Sequence, residues 1–149
     1  MGSMKVLAKN RRATYDYELT EELVAGLVLT GDEVKSLKNG FGSLKGSFIA
    51  LRENEAYLTG THITPYARAN NKDAIDPTRH RKLLLHRKQI DHLIAAKQSG
   101  LSVVPTALLL SGALIKIEIG IGRGKKHYDK RETIKQRDTK RELARELKR

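Results

Sequence analysis

Cysteine is absent from this chain, which excludes disulfides, a thiol nucleophile and cysteine-ligated zinc. Apolar residues never form a run near the ~18 that cross a membrane. The N-terminal segment is short and basic, and it lacks the apolar stretch of a secretory signal. These absences fit a reducing, cytoplasmic environment. We interpret residues 1–3, before Met4, as an expression scar outside the fold.

Patterns typical of enzymes and metal proteins are also missing. His80, His86 and His92 recur every six residues, which matches no metal-binding helix motif. Gly120, Gly122 and Gly124 follow a predicted strand, but no helix with a later acidic residue completes a dinucleotide fingerprint. The sequence therefore predicts neither a metal nor a cofactor, and it nominates no catalytic constellation.

Positive charge is the strongest feature that the sequence does have. Lys and Arg number 29 against 17 acidic residues, giving a net charge of +12. The last 28 residues alone hold 12 basic and 5 acidic residues. Such a chain attracts polyanions, and RNA is the most abundant of these in a cytoplasm. A merely solubilising surface and an anionic membrane are the alternatives, although the tail has few apolar residues for a membrane helix.

The first half of the chain predicts strands around one short helix. Residues 5–12 are basic and lack periodicity, which indicates an arm, and alternation over residues 15–19 favours a strand. Residues 25–29 form an apolar run typical of a buried strand. Thr30 and Glu33 have the spacing of a capping box, so a helix should begin there and end at Asn39-Gly40.

The second half predicts a hairpin, a loop, a helix and two long strands. Residues 47–52 and 56–61 are strand-like around a turn, and residues 68–78 are polar enough for a loop. Residues 79–85 run from basic to apolar and lead into a helix that Gly100 should stop. Strands are predicted at two further ranges, residues 102–110, with an edge or bulge at Pro105, and residues 115–121, with strict isoleucine alternation.

About six strands with two or three helices and no regular βαβ order favour a small antiparallel β-barrel of the OB-like type. We expect it to occupy residues 4–121 and to be closed or nearly closed. Residues 122–149 are too polar to form a core. They are predicted to be a basic tail that is disordered when free and becomes helical on an anionic partner such as the ribosome.

Four stretches, in order and at matching spacing, resemble the SsrA-binding protein (small protein B, SmpB) family. They are Asn10-Arg11-Arg12 with Tyr17, the segment from Gly26 to Lys38, the segment from Asp76 to Leu85, and the segment from Gly122 to Arg131. The resemblance covers nearly everything after Val6.

The resemblance implies a non-enzymatic, OB-like protein that binds the tRNA-like domain of transfer-messenger RNA. It further implies delivery of that RNA to ribosomes stalled in trans-translation. The protein would act as a monomer in the decoding centre, with its tail probing the empty mRNA channel.

The family's functional positions fall on two sets of residues in this chain. The resemblance implies RNA binding by Asn10, Arg11, Tyr17, Glu33, Lys35, Lys38, Lys82 and Leu84. It implies ribosome contact by the tail residues Gly124, Lys125, Lys126, Tyr128, Asp129, Lys130 and Arg131. The chain departs from some members at Val24, where they have Glu, and at Tyr128, which is often His and keeps a flat ring for stacking.

Each of these residues also has a plainer interpretation. Tyr17 and Leu84 could belong to the core, Glu33 could serve only the capping box, and the tail lysines could act by charge alone. For the whole protein, the alternatives are a general RNA-binding or ribosomal protein and an RNA-processing enzyme.

Overall fold

The computed structural model describes residues 4–65 and 76–125. Within these residues, nine strands and three helices follow one another. The strands are β1 (Lys5–Lys9), β2 (Tyr17–Leu27), β3 (Gly42–Ser43), β4 (Phe48–Arg52), β5 (Glu55–Thr59), β6 (His62–Ile63), β7 (Arg81–Leu84), β8 (Ser102–Ser111) and β9 (Leu114–Gly124). The helices are α1 (Arg11–Asp16), α2 (Gly31–Lys38) and α3 (Arg87–Gln98).

Seven of the strands form one antiparallel sheet in the order β1-β8-β9-β2-β7-β5-β4, and β3 pairs with β6 separately. The mainly β, antiparallel character predicted from the sequence is confirmed. The expectation was a closed or nearly closed barrel. Full closure by hydrogen bonds is wrong for the described residues, because β1 and β4 remain edges and do not pair with each other. The described residues contain nine strands, where about six were expected.

Local turn chemistry explains where several elements begin and end. The capping box at α2 is present, and Gly40 follows the helix with a φ of +84°. The β4–β5 turn uses Glu53 and Asn54, both with positive φ, as a two-residue hairpin of this twist requires. Pro105 lies at a break in the register between β8 and β9, which confirms the predicted bulge.

The N-terminal segment differs from its prediction. Residues 5–12 do not form an arm, because β1 pairs along β8 and α1 begins at Arg11. Tyr15 lies in α1, and the strand starts only at Tyr17. The cause is tertiary: β8 offers an unpaired edge to a segment that has no apolar periodicity of its own.

Gly120 and Gly122, near the end of β9, are positions where a neighbouring strand or side chain packs closely. A Cβ at Gly122 would overlap the carbonyl of Glu18, where β2 bulges between Leu19 and Glu21. β9 stays paired with β2 as far as Gly124, so the strand continues three residues beyond the predicted end of the barrel at residue 121. The predicted tail residues 126–149 lie outside the described residues.

One apolar core fills the concave side of the sheet. The alternating isoleucines of β9 are buried as predicted, and α3 adds Leu93 and Ala96 to the same core. β4 and β8 contact each other although they are far apart in the sheet order, so the sheet is strongly curled.

Candidate RNA-binding surface

Glu33 lies at the centre of a buried ionic cluster. Its side chain is 5% exposed, and one of its oxygens accepts a hydrogen bond from the Thr30 amide at 2.9 Å. Arg79 donates to both carboxylate oxygens, and Arg81 Nε donates to Oε2 at 2.7 Å. Burial by itself would raise the pKa of Glu33, but hydrogen bonds from Arg79, Thr30 and Arg81 outweigh it and hold that pKa below its usual value.

Arg81 extends this cluster to the turn that precedes β7. The side chain is completely buried, and it donates to the carbonyl oxygens of Thr61 at 2.7 Å and Pro77 at 3.0 Å. Burial lowers the pKa of Arg81, although its hydrogen bond with Glu33 acts in the opposite direction. The cluster therefore ties the start of α2 to β7 and to the Asp76–Thr78 turn.

These hydrogen bonds argue against a direct contact between Glu33 and RNA, since both carboxylate oxygens already accept hydrogen bonds inside the protein. Its capping role is confirmed. Lys35 and Lys38 lie two and five residues further along the same helix and are both exposed. A contribution of Glu33 through the placement of these lysines stays a prediction.

Lys82 and Leu84 project from the outer face of β7, whereas Arg81 and Leu83 point into the core. Leu84 is 57% exposed, so the alternative that it belongs to the core is wrong. Lys82 forms an ion pair with Glu55 at 2.8 Å, and that hydrogen bond and charge raise the pKa of Lys82. This face therefore presents an exposed apolar side chain beside a cation.

The neighbouring strand continues this outer face. Gly26 is the register partner of Leu84, and a Cβ at Gly26 would lie only 3.3 Å from the Leu84 Cβ. Val24 and Val28 are 38% and 45% exposed on the same side of β2. Apolar exposure on both strands marks a contact surface, because isolated exposed side chains are common and a group is less so.

Asn10, Arg11 and Tyr17 lie together at a different place, around α1. Asn10 donates from its side-chain amide to the carbonyl of Pro105 at 2.7 Å, which fixes the start of α1 against β8. Asn10 and Tyr17 line a cleft of about 960 Å³, and Asn10 and Arg11 line an adjoining groove of about 320 Å³. Tyr17 is half-buried and lines the cleft, which fits both packing and contact with RNA.

The last described residue is anchored beside the same cleft. The Lys125 amide donates to the carbonyl of Asp16 at 2.7 Å, and its Nζ donates to the carbonyl of Thr14 at 2.9 Å. Gly124 is paired with Tyr17. The structure thus fixes the point where the chain leaves the sheet, and the predicted residues Lys126, Tyr128, Asp129, Lys130 and Arg131 lie outside the described part.

The predicted RNA-binding residues therefore fall into two groups at opposite ends of β2. Tyr17 marks one end and Gly26, beside Leu84, the other. At ~3.3 Å per residue, the nine steps between them span about 30 Å. The sequence pattern did not separate these groups. It also gave no signal for Lys45 and Phe48, which the fold brings together with Arg12 in the cleft beside α1. Arg12 was visible only as part of the Asn10-Arg11-Arg12 motif, and Lys45 only as one of many basic residues.

Within residues 4–65 and 76–125, no cluster of His, Asp and Glu could hold a metal ion. None of the described helices has the length and apolar character that crossing a membrane requires.

Comparison with known proteins assigns the chain to a family. Residues 7–149 match the SmpB protein family. The chain belongs to the SmpB family. An SsrA-binding protein from Synechococcus sp. (strain JA-3-3Ab) is 48% identical over 98% of this chain and 96% of its own length. One from Bacillus pumilus (strain SAFR-032) is 48% identical over 97% of this chain and 92% of its own length.

A solved structure described as "tmRNA-SmpB: a journey to the center of the bacterial ribosome" shares this fold. It has a TM-score of 0.65 and 40% identity, and the match covers 80% of this chain and 84% of the solved one. Membership of the SmpB family therefore rests on both sequence and structure.

Proposed function

We propose that this protein is an adaptor that binds the tRNA-like domain of transfer-messenger RNA and brings it to stalled ribosomes. The observation that carries the proposal is the match to SmpB relatives over nearly the whole chain, together with the neighbour named for tmRNA and the ribosome. The basic surface and the exposed Leu84 face supply charge and apolar contact for a folded RNA arm. The protein acts in the cytoplasm.

Specific binding is the first test. We expect the full chain to bind a tRNA-like RNA in the nanomolar range and to bind an unrelated folded RNA of equal length at least ~10-fold more weakly, a difference of ~1.4 kcal/mol. Filter binding at several salt concentrations measures both affinities, since the phosphate contribution falls as salt rises. Equal affinity for the two RNAs would leave only a general RNA-binding protein.

The proposed tail function has a test of its own. We propose that residues beyond Lys125 enter the empty mRNA channel and report that it is vacant. Truncation after Lys125 keeps the strand pairing and both anchoring hydrogen bonds. The truncated protein is expected to bind the tRNA-like RNA like the full chain but to fail in peptide tagging on stalled ribosomes. Loss of RNA affinity on truncation would instead make the tail an electrostatic anchor.

Side chains within the tail separate stacking from charge. We propose that Tyr128→Ala loses more tagging activity than Lys130→Ala, because a flat ring stacks on a base whereas one lysine among many adds only charge. Both variants are measured in the same stalled-translation assay, and equal losses would indicate that charge alone matters.

We propose that the protein is not an enzyme and that it leaves its RNA chemically unchanged. Labelled RNA incubated with the protein, with and without magnesium, is expected to give no products on a denaturing gel. Any magnesium-dependent product would revive the RNA-processing alternative.

We also propose that the curled sheet is an OB-like barrel, open in its hydrogen bonding. The contact between β4 and β8 supports this, as do Ile49 and Val103, which line one cleft from the two strands. Because the chain lacks cysteine, spin labels at Phe48→Cys and Val104→Cys report this distance alone. A broad, long distance distribution would contradict the curled arrangement.

A further inference from the structure

The cleft at the α1 end of β2, here called the α1 cleft, combines positive charge with aromatic surface. Arg12, Lys45 and Lys97 line it, and the single acidic residue among its lining residues, Asp16, lies 4.0 Å from Arg12. Lys97 also donates to the carbonyl of Ile49 at 2.9 Å, which holds its ammonium at the cleft wall. The wall is therefore net positive.

The adjoining groove adds further cations. It shares Arg12 and Lys45 with the α1 cleft, and Lys9 and Arg11 complete a lining that contains no acidic residue. A phosphodiester backbone that follows this groove would meet four positive side chains in succession.

Phe48 gives the α1 cleft an aromatic surface that stability does not explain. The next residue in β4, Ile49, is 1% exposed and belongs to the core, so strand alternation turns Phe48 outward, where it is 53% exposed. Tyr17 enters the same cleft from β2. Proteins bind unpaired nucleotides with aromatic rings beside cations, because the base stacks on the ring and the flanking phosphates pair with the cations.

We propose that the α1 cleft binds an unpaired nucleotide of RNA, with its base against Phe48 and its flanking phosphates on Lys45 and Arg12. This site rests on the proposed RNA-binding function and adds a contact to it, about 30 Å along β2 from the Leu84 face. Double-stranded RNA does not fit, since its bases are stacked and its rings inaccessible. An acidic peptide would meet the cations but would not need the rings.

Two exposed substitutions test the site, each with a matched control. Phe48→Leu removes the ring and keeps an apolar side chain, and Phe41→Leu makes the same change at a residue that is 56% exposed and outside the cleft lining. Lys45→Gln removes a cleft charge, and Lys88→Gln removes an exposed charge on α3. Circular dichroism checks that all four variants keep the fold.

The probes are a tRNA-like RNA carrying 2-aminopurine at one unpaired position at a time, and small ribosomal subunits. Phe48→Leu is expected to weaken binding of one of these RNAs by about 5- to 100-fold and to abolish 2-aminopurine quenching at one position if the tRNA-like RNA is the source. Lys45→Gln is expected to reduce the slope of log affinity against log salt by about 1. The two control variants should bind like the unsubstituted chain.

Each outcome either identifies the RNA that supplies the nucleotide or contradicts the proposed nucleotide site. Weakened binding to the tRNA-like RNA assigns the nucleotide to that RNA, and weakened binding to the subunits alone assigns it to ribosomal RNA. If Phe48→Leu and Lys45→Gln bind both RNAs as tightly as their controls, the α1 cleft is not a nucleotide site, although specific binding by the unsubstituted chain would still uphold the adaptor function. A loss only for Lys45→Gln, matched by an acidic peptide as competitor, would overturn the base contact.

Discussion

Glu33 is a buried residue whose proposed effect on RNA binding is indirect. Its carboxylate is shared between two arginines and the first turn of α2, so it fixes the helix that carries Lys35 and Lys38. Removing one member of such a buried charge network destabilises the fold, because the remaining charges stay buried without a counter-charge.

Replacing Glu33 should therefore affect stability first. Glu33→Gln keeps a side chain that can complete the capping box but leaves the fully buried Arg81 without a counter-charge. We expect the free energy of unfolding to fall by about 3–5 kcal/mol, measured by urea denaturation. Asp91→Asn, which breaks an exposed pair with Arg87, is the control and should change it little. Equal effects of the two substitutions would contradict the cluster's structural role.

The same cluster predicts a loss of stability in acid. Because the pKa of Glu33 is lowered in the folded protein, its contribution is fully present above its ordinary pKa of 4.5 and is lost as the pH falls through the lowered value. Unfolding measured against pH should show the difference between the unsubstituted chain and Glu33→Gln shrinking over that acidic range. A difference that stays constant would mean that charge is not its source.

Leu84 makes the opposite prediction, since it is exposed and contributes little to the core. Leu84→Ala should leave the free energy of unfolding within about 0.5 kcal/mol of the original value. It should weaken binding to the tRNA-like RNA about tenfold, or ~1.4 kcal/mol, through lost apolar contact. Leu114→Ala, at a residue that is 65% exposed beside the β8–β9 turn, is the matched control for both measurements. An unfolding change without an affinity change would place Leu84 among structural residues.

Among the elements, the paired strands β2 and β9 connect the two candidate surfaces. Its eleven-residue strands pair from Gly26 and Lys116 to Tyr17 and Gly124, so the α1 cleft and the Leu84 face are joined by one stiff ladder. The close approach at Gly122 allows β2 to bulge there without losing the pairing beyond it.

Glycine substitutions test this ladder. Gly122→Ala would force its methyl group against the Glu18 carbonyl, and we expect about 1–3 kcal/mol of destabilisation. Gly124→Ala has no heavy atom within 4 Å of its new methyl group and should be nearly neutral. Thermal unfolding of both variants measures the difference, and a neutral Gly122→Ala would show that the close approach is relieved easily.

For the whole molecule, the question is how its +12 net charge divides between two RNA partners. The described fold keeps cations at the α1 cleft, while 10 of the 29 basic residues follow Lys125. If these serve the ribosome alone, truncation after Lys125 should leave the salt dependence of tRNA-like RNA binding unchanged and flatten that of ribosome binding. Affinities measured over a salt series for both partners check this. A flatter slope for the tRNA-like RNA would assign part of the tail to that partner.

The sequence by itself determined the local features of this protein. These features depend on residues that are close in the chain, so their pattern was enough to predict them. Thr30 with Glu33 predicted the helix cap and Asn39-Gly40 the helix end. The Glu53–Glu55 turn predicted the hairpin, and the isoleucines of β9 predicted a buried strand. The family motifs added the candidate residues.

Only the tertiary structure decided how these parts meet. Three contacts join parts of the chain that are 33 or more positions apart. They are the pairing of β1 with β8, the burial of Arg81 against Glu33, and the meeting of Arg12 with the Lys45–Phe48 segment in one cleft. Such contacts depend on the register and curl of the sheet. No local pattern encodes them, since an exposed basic or aromatic residue has the same sequence signature wherever the fold places it.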